Sequence, residues 1–156
     1  MTTPPPALDC AHAIEYAVVD DSVHFEQRHW LNVGGEWLGA APRLAICRNL
    51  DETQFMIFHC DNDWNVLGVA AGYDTIAEAK SRAERSYHGL SAKWIPTGHS
   101  HEEAVKYVKE RFEGFECSFC GRLPLQYQSV VGDEVRICNH CIDEFYQAIH
   151  RETDEI

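Results

Sequence analysis

Two cysteine pairs with the same internal spacing, Cys117-x2-Cys120 and Cys138-x2-Cys141, separated by 17 residues, constrain this chain more than any other feature. Two intervening residues let a tight turn bring both sulfurs to about 2.3 Å from one Zn²⁺, so each pair clamps one edge of a tetrahedron. Gly121 fits the turn of such a knuckle, and Ile137 fits a short strand that delivers Cys138. Four thiolates leave no open coordination position, so the site is expected to hold structure and perform no chemistry. Four buried reduced cysteines and an iron–sulfur cluster are the other readings of the same residues. His140, inside the second knuckle, reads as a surface residue rather than a replacement ligand.

At these residues a family resemblance emerges. CSFCG at Cys117–Gly121, then ICNHCID at Ile137–Asp143 followed by an apolar helix over Ile142–Ile149, resembles the ClpX-type C4 zinc-binding domain found at the N-terminus of the ClpX unfoldase. The likeness runs from Phe115 to His150, under a quarter of the chain. It implies Cys117, Cys120, Cys138 and Cys141 as the ligands of one structural Zn²⁺, in a treble-clef-like module that dimerises and recognises proteins. Here the module is C-terminal, whereas in the unfoldase it precedes an ATPase domain. No Gly in the chain is followed by Lys, so the phosphate-cradling G-x-x-x-x-G-K-[ST] loop is absent and the chain is not an ATP-driven unfoldase.

The remaining residues read as an α+β domain over 13–114, a small antiparallel sheet with one or two helices, between a flexible tail at 1–12 and the module at 115–150, with a second tail at 151–156. Strand-like runs cover Ile14–Val19 and His24–Trp30, followed by a loop with Gly34, Gly35 and Gly39. Arg43–Arg48, Gln54–Cys60 and Val66–Ala71 are three apolar runs joined by polar turns, an antiparallel meander. After Gly72 the period changes. Thr75 with Glu78 and Ser100 with Glu103 are capping boxes, each opening a helix, and Lys93–Ile95 between them reads as a short strand. CDNDWNVLG at Cys60–Gly68, with the later Trp94, is similar to small uncharacterised bacterial domains, from which no residue role is carried over.

The 156 residues carry 13 Lys and Arg against 25 Asp and Glu, a formal charge of −12. Four thiolates and one Zn²⁺ take it to about −14. Such a field disfavours nucleic acid and anionic membrane, and favours a basic protein partner. Seven cysteines, an odd number, in metal-like rather than disulfide-like spacing point to a reducing cytoplasm.

No H-E-x-x-H and no G-x-S-x-G is present. His101-x-Glu103 ahead of Cys117 fails as a deaminase signature, since Glu116 stands where Pro belongs. His59 beside Cys60 does not make a nucleophile, because neighbouring strand residues point to opposite faces. Asp61, Asp63 and Asn65 alternate like a Ca²⁺ loop, but Val66 replaces the required Gly. No catalytic residue is assigned.

The leading expectation is a non-catalytic inhibitor of the immunity or antitoxin type, neutralising a toxin or enzyme by direct contact through Trp37, Asp61, Asp63 and Trp64. The alternative is an adaptor or regulator working with a Clp-type protease or unfoldase through the zinc module, with a homodimer through that module as a further expectation. A small enzyme of unrecognised type would need a polar pocket in the larger domain.

Overall fold

The computed structural model describes residues 3–29, 31–123 and 129–154. The chain divides into two units, one up to Tyr107 and the other from Val108. The division falls inside a helix, earlier than the sequence boundary at Phe115.

The first unit is built on an antiparallel sheet. Its strands are β1 (Ala7–Leu8), β2 (Ala11–Val18), β6 (Arg43–Asn49), β7 (Phe55–Cys60) and β8 (Val66–Tyr73), in that spatial order, with β10 (Ile95–Pro96) also on the outer side of β2. Two small two-stranded ribbons flank it. One pairs β3 (His24–Phe25) with β9 (Tyr87–His88), and the other pairs β4 (Asn32–Val33) with β5 (Glu36–Trp37).

Alternation along β6 and β7 divides the core into two layers. Leu44, Ile46 and Ile57 share one layer with Ala79 and Ala83 of α1 (Ile76–Ser86), Tyr87 of β9 and Leu90 of the 3₁₀ turn (Leu90–Ala92) that follows. Ala45, Cys47, Met56, Phe58 and Cys60 form the other, with Tyr16 and Trp64. The meander and both capped helices thus lie where the sequence places them. α2 spans His101–Arg111, with Ala104 and Val108 buried.

Three expectations need correction. The expected loose tail over 1–12 is ordered structure from Thr3 onward: Pro4, Ala7, Leu8, Cys10 and Ala11 are buried. The proline run has no period to read, yet its carbonyls are used, with Pro6 accepting from Ala13 N (3.0 Å) and Pro4 from His99 Nε2 (3.1 Å). Asp9 then turns the chain in the left-handed region (φ 51°), which closes the β1–β2 pair. Second, the run from His24 is a strand only to Phe25, because its partner β9 is two residues long; Trp30 lies outside the described residues. Third, the short strand shifts to Ile95–Pro96, since residues 90–92 are taken by the 3₁₀ turn, and Pro96 sits opposite Glu15 without needing an N–H.

The second unit contains a hairpin of β11 (Ser129–Val131) and β12 (Arg136–Cys138), then α3 (Asn139–Asp154). Among the described residues no helix is long and apolar enough to cross a membrane.

Candidate metal centre

The first knuckle is a backbone turn closed at both ends. Cys117 N donates to Arg122 O (2.7 Å) and Gly121 N to Cys117 O (2.9 Å), which Gly121 permits by its left-handed φ of 75°. The second knuckle comes from a change of element: Cys138 ends β12, and Cys141 stands in the first turn of α3. Ser118 ties the two together. Its N–H donates to Arg136 O (2.7 Å), and its hydroxyl accepts from Arg136 N (2.9 Å).

This scaffold gathers four sulfurs within 4.8 Å of one another. Sulfurs held at about 2.3 Å around a tetrahedral Zn²⁺ stand roughly 3.8 Å apart. Cys117 to Cys141 is 3.9 Å and Cys120 to Cys138 is 3.6 Å, on either side of that edge. Donor set and spacing therefore fit a single structural Zn²⁺ with no ligand position left open. The residues that would hold it are Cys117, Cys120, Cys138 and Cys141; His140 is exposed and outside the cluster.

The scaffold also prepares the thiolates. Desolvation opposes ionisation of Cys117, but backbone N–H groups of Cys120, Cys138 and Phe119 outweigh it and bring the thiol down to about 6. Cys138 is lowered in the same way, its desolvation overcome chiefly by the Cys141 N–H (3.5 Å). Cys141 is pushed up to about 12, by desolvation first and then by the sulfurs around it. Without a cation the last thiolate is the expensive one, and a dication removes that cost.

Arg122 places a guanidinium nitrogen 3.8 Å from the sulfur of the exposed Cys120 and so offsets part of the tetrathiolate charge. Arg122 is not among the residues nominated from the sequence. Its position just after C-x-x-C-G was the available signal.

Of the other nominated residues, Trp64 is not at the surface. Trp37 is 54% exposed on β5 beside the exposed Glu36, as expected for an anchor. Asp63 is exposed. Asp61 is engaged within its own turn: one oxygen accepts from Asp63 N (2.8 Å) and Asn65 N (2.9 Å), the other from Asn65 Nδ2 (2.9 Å). These bonds, those from Asn65 first, hold its carboxyl below the usual range. Trp64 is a correction. It is 4% exposed, with its ring edge-on to Tyr16 at 5.7 Å and the Arg43 guanidinium 5.2 Å from its centroid. Its left-handed φ of 66° puts the indole into the core, a conformation that acidic neighbours in sequence do not announce.

Residues 116–151 match the ClpX C4-type zinc finger family. No curated protein and no solved structure matches the chain. The match covers the second unit's metal module, and the first unit is described by its own geometry alone.

Proposed function

We propose that this is a non-catalytic protein-interaction protein, an adaptor or regulator whose zinc module presents the working surface. One observation carries the reading. On α3, Ile142, Phe145, Tyr146 and Ile149 are all exposed, Tyr146 by 61% and Ile149 by 63%, at the i, i+3, i+4, i+7 positions of one helical stripe. The exposed Phe119 of the first knuckle extends it, its ring edge-on to Phe145 at 5.3 Å. A structural zinc site and a contiguous apolar stripe together suit a rigid docking face for an apolar segment of a partner. The family match makes a Clp-type unfoldase or protease the natural place to look for that partner.

A second reading is favoured by the charge of −12 and by Trp37. An acidic inhibitor of the immunity or antitoxin type would use that field to speed encounter with a basic toxin or enzyme, and the exposed indole as its anchor.

Capture of partners by the tagged full chain separates the two. The adaptor reading expects a partner that survives high salt and is lost with Tyr146→Glu and Ile149→Glu, zinc content unchanged. The inhibitor reading expects a basic partner that dissociates at high salt, is lost with Trp37→Ala and tolerates the α3 substitutions. A partner indifferent to all three substitutions sinks both readings.

A further inference from the structure

The first unit of this acidic chain contains a cavity of about 530 Å³ whose wall is basic. Arg82 and Arg85, three residues apart on α1 and therefore on one side of it, line the cavity with Arg28 and His29. Leu31, Ala70, Ala71, Tyr73 and Ser86 complete the lining, and the volume falls in the range of small-molecule sites.

Carboxylates of α1 and of the first unit's strands have partners of their own. Glu84 accepts from Gly89 N (2.7 Å) and Ser91 N (2.8 Å), and Glu78 accepts from Asp74 N (2.9 Å). Glu15 takes Lys80 (2.6 Å), and Glu26 takes Arg28 (2.7 Å) and His88 (2.9 Å). Arg82 and Arg85 form no ion pair among the described residues. In a chain with 25 acidic residues, leaving two adjacent guanidiniums unmatched on a concave wall is a departure from its general charge pattern.

His29 stands in the same wall as a neutral ring. The Gln27 amide nitrogen can only donate, so at 3.1 Å it bonds to His29 Nδ1 as acceptor, and the neutral ring carries its hydrogen on Nε2. That Nε2 is buried and has no hydrogen-bond partner. Two exposed arginines on a helix are ordinary. The same two on a concave wall shared with Arg28 and His29 are not.

We propose that this cavity binds a small ligand through an oxyanion, carboxylate or phosphate, gripped by Arg82 and Arg85, with the ligand's apolar part against Leu31 and Ala70. A guanidinium fork matches either oxyanion in two parallel hydrogen bonds, which an ammonium cannot do. The site lies wholly in the first unit and is independent of the zinc module and of any protein partner.

Isothermal titration of the full zinc-loaded chain at low salt, with pyrophosphate in one arm and citrate in the other, tests this. Saturable binding is expected in at least one arm, and the arm that binds identifies the oxyanion. Arg82→Gln with Arg85→Gln should weaken it by about tenfold or more, and the double Lys variant, which keeps the charge, should weaken it as well. Arg151→Gln, which removes one charge elsewhere, should leave affinity unchanged. Thermal melting without ligand checks that the variants remain folded, as expected for side chains without ion pairs. No saturable heat in either arm, or wild-type affinity in the double Gln variant, overturns the proposal.

Discussion

His59 shows how one buried polar residue sets a stability profile. Tyr87 OH accepts from Ala41 N (3.0 Å), so its own hydrogen is left for His59 Nδ1 at 3.3 Å. Burial, with a smaller contribution from His29, pushes the His59 imidazole down to about 3; burial likewise lowers His12 and His29. A histidine unfolded near 6.5 and folded near 3 binds its proton first in the unfolded state. Its contribution to stability is therefore fully present above pH 6.5 and is lost as pH falls toward 3. Urea unfolding at stepped pH should show stability falling by up to about 1.4 kcal/mol per pH unit for each such histidine. His59→Gln should flatten that slope, and an unchanged slope would remove His59 from the account. The alternation argument that parts His59 from Cys60 holds, since Cys60 packs in the layer with Met56 and Phe58 while His59 meets Tyr87. Trp64 defeats its reading as a contact residue, because one left-handed residue turns a side chain inward without altering the pattern around it.

The elements legible in the sequence are those with a period or a cap to read. At α2 the capping box closes reciprocally, Glu103 N to Ser100 Oγ at 3.1 Å and Ser100 N to Glu103 Oε2 at 2.7 Å. At α1 Thr75 receives Glu78 N as expected (3.0 Å), but the Glu78 carboxylate reaches one residue further back, to Asp74 N. Strands β1, β3, β4, β5, β9 and β10 are two residues long, too short for alternation, and β3, β9 and β10 exist through partners distant in sequence. The metal site was legible because its two knuckles are local, and the basic cavity was not, because Arg28 and Arg82 are brought together only by the fold. Past the end of α1, Gly89 (φ 96°) opens the 3₁₀ turn, and a Cβ there would stand 3.2 Å from Ser22 O. Gly89→Ala is expected to cost about 1–2 kcal/mol in urea unfolding, through both strain and crowding; no loss would mean the loop yields freely.

At the scale of the whole molecule, the buried apolar clusters of the sheet draw only on residues of the first unit, and the cysteine cluster only on the second. Chelation of Zn²⁺, or Cys138→Ser, should therefore raise hydrogen exchange across residues 117–123 and 129–141 while leaving β6 and β7 protected. Exchange that rises equally in both units would show that the metal supports the entire chain. The order of strands also dictates when each unit can form during synthesis. β2 is made second; β1 covers only Ala11 and His12 of its outer side, β6 pairs its inner side once Asn49 is made, and β10 reaches Glu15 and Tyr16 only at Pro96. The nascent chain must leave that outer edge of β2 open at the ribosome until most of the first unit has emerged, a delay in which a chaperone has something to bind. The metal module is made after the first unit and closes over short sequence distances, so it can fold as soon as Cys141 leaves the exit tunnel and meets zinc.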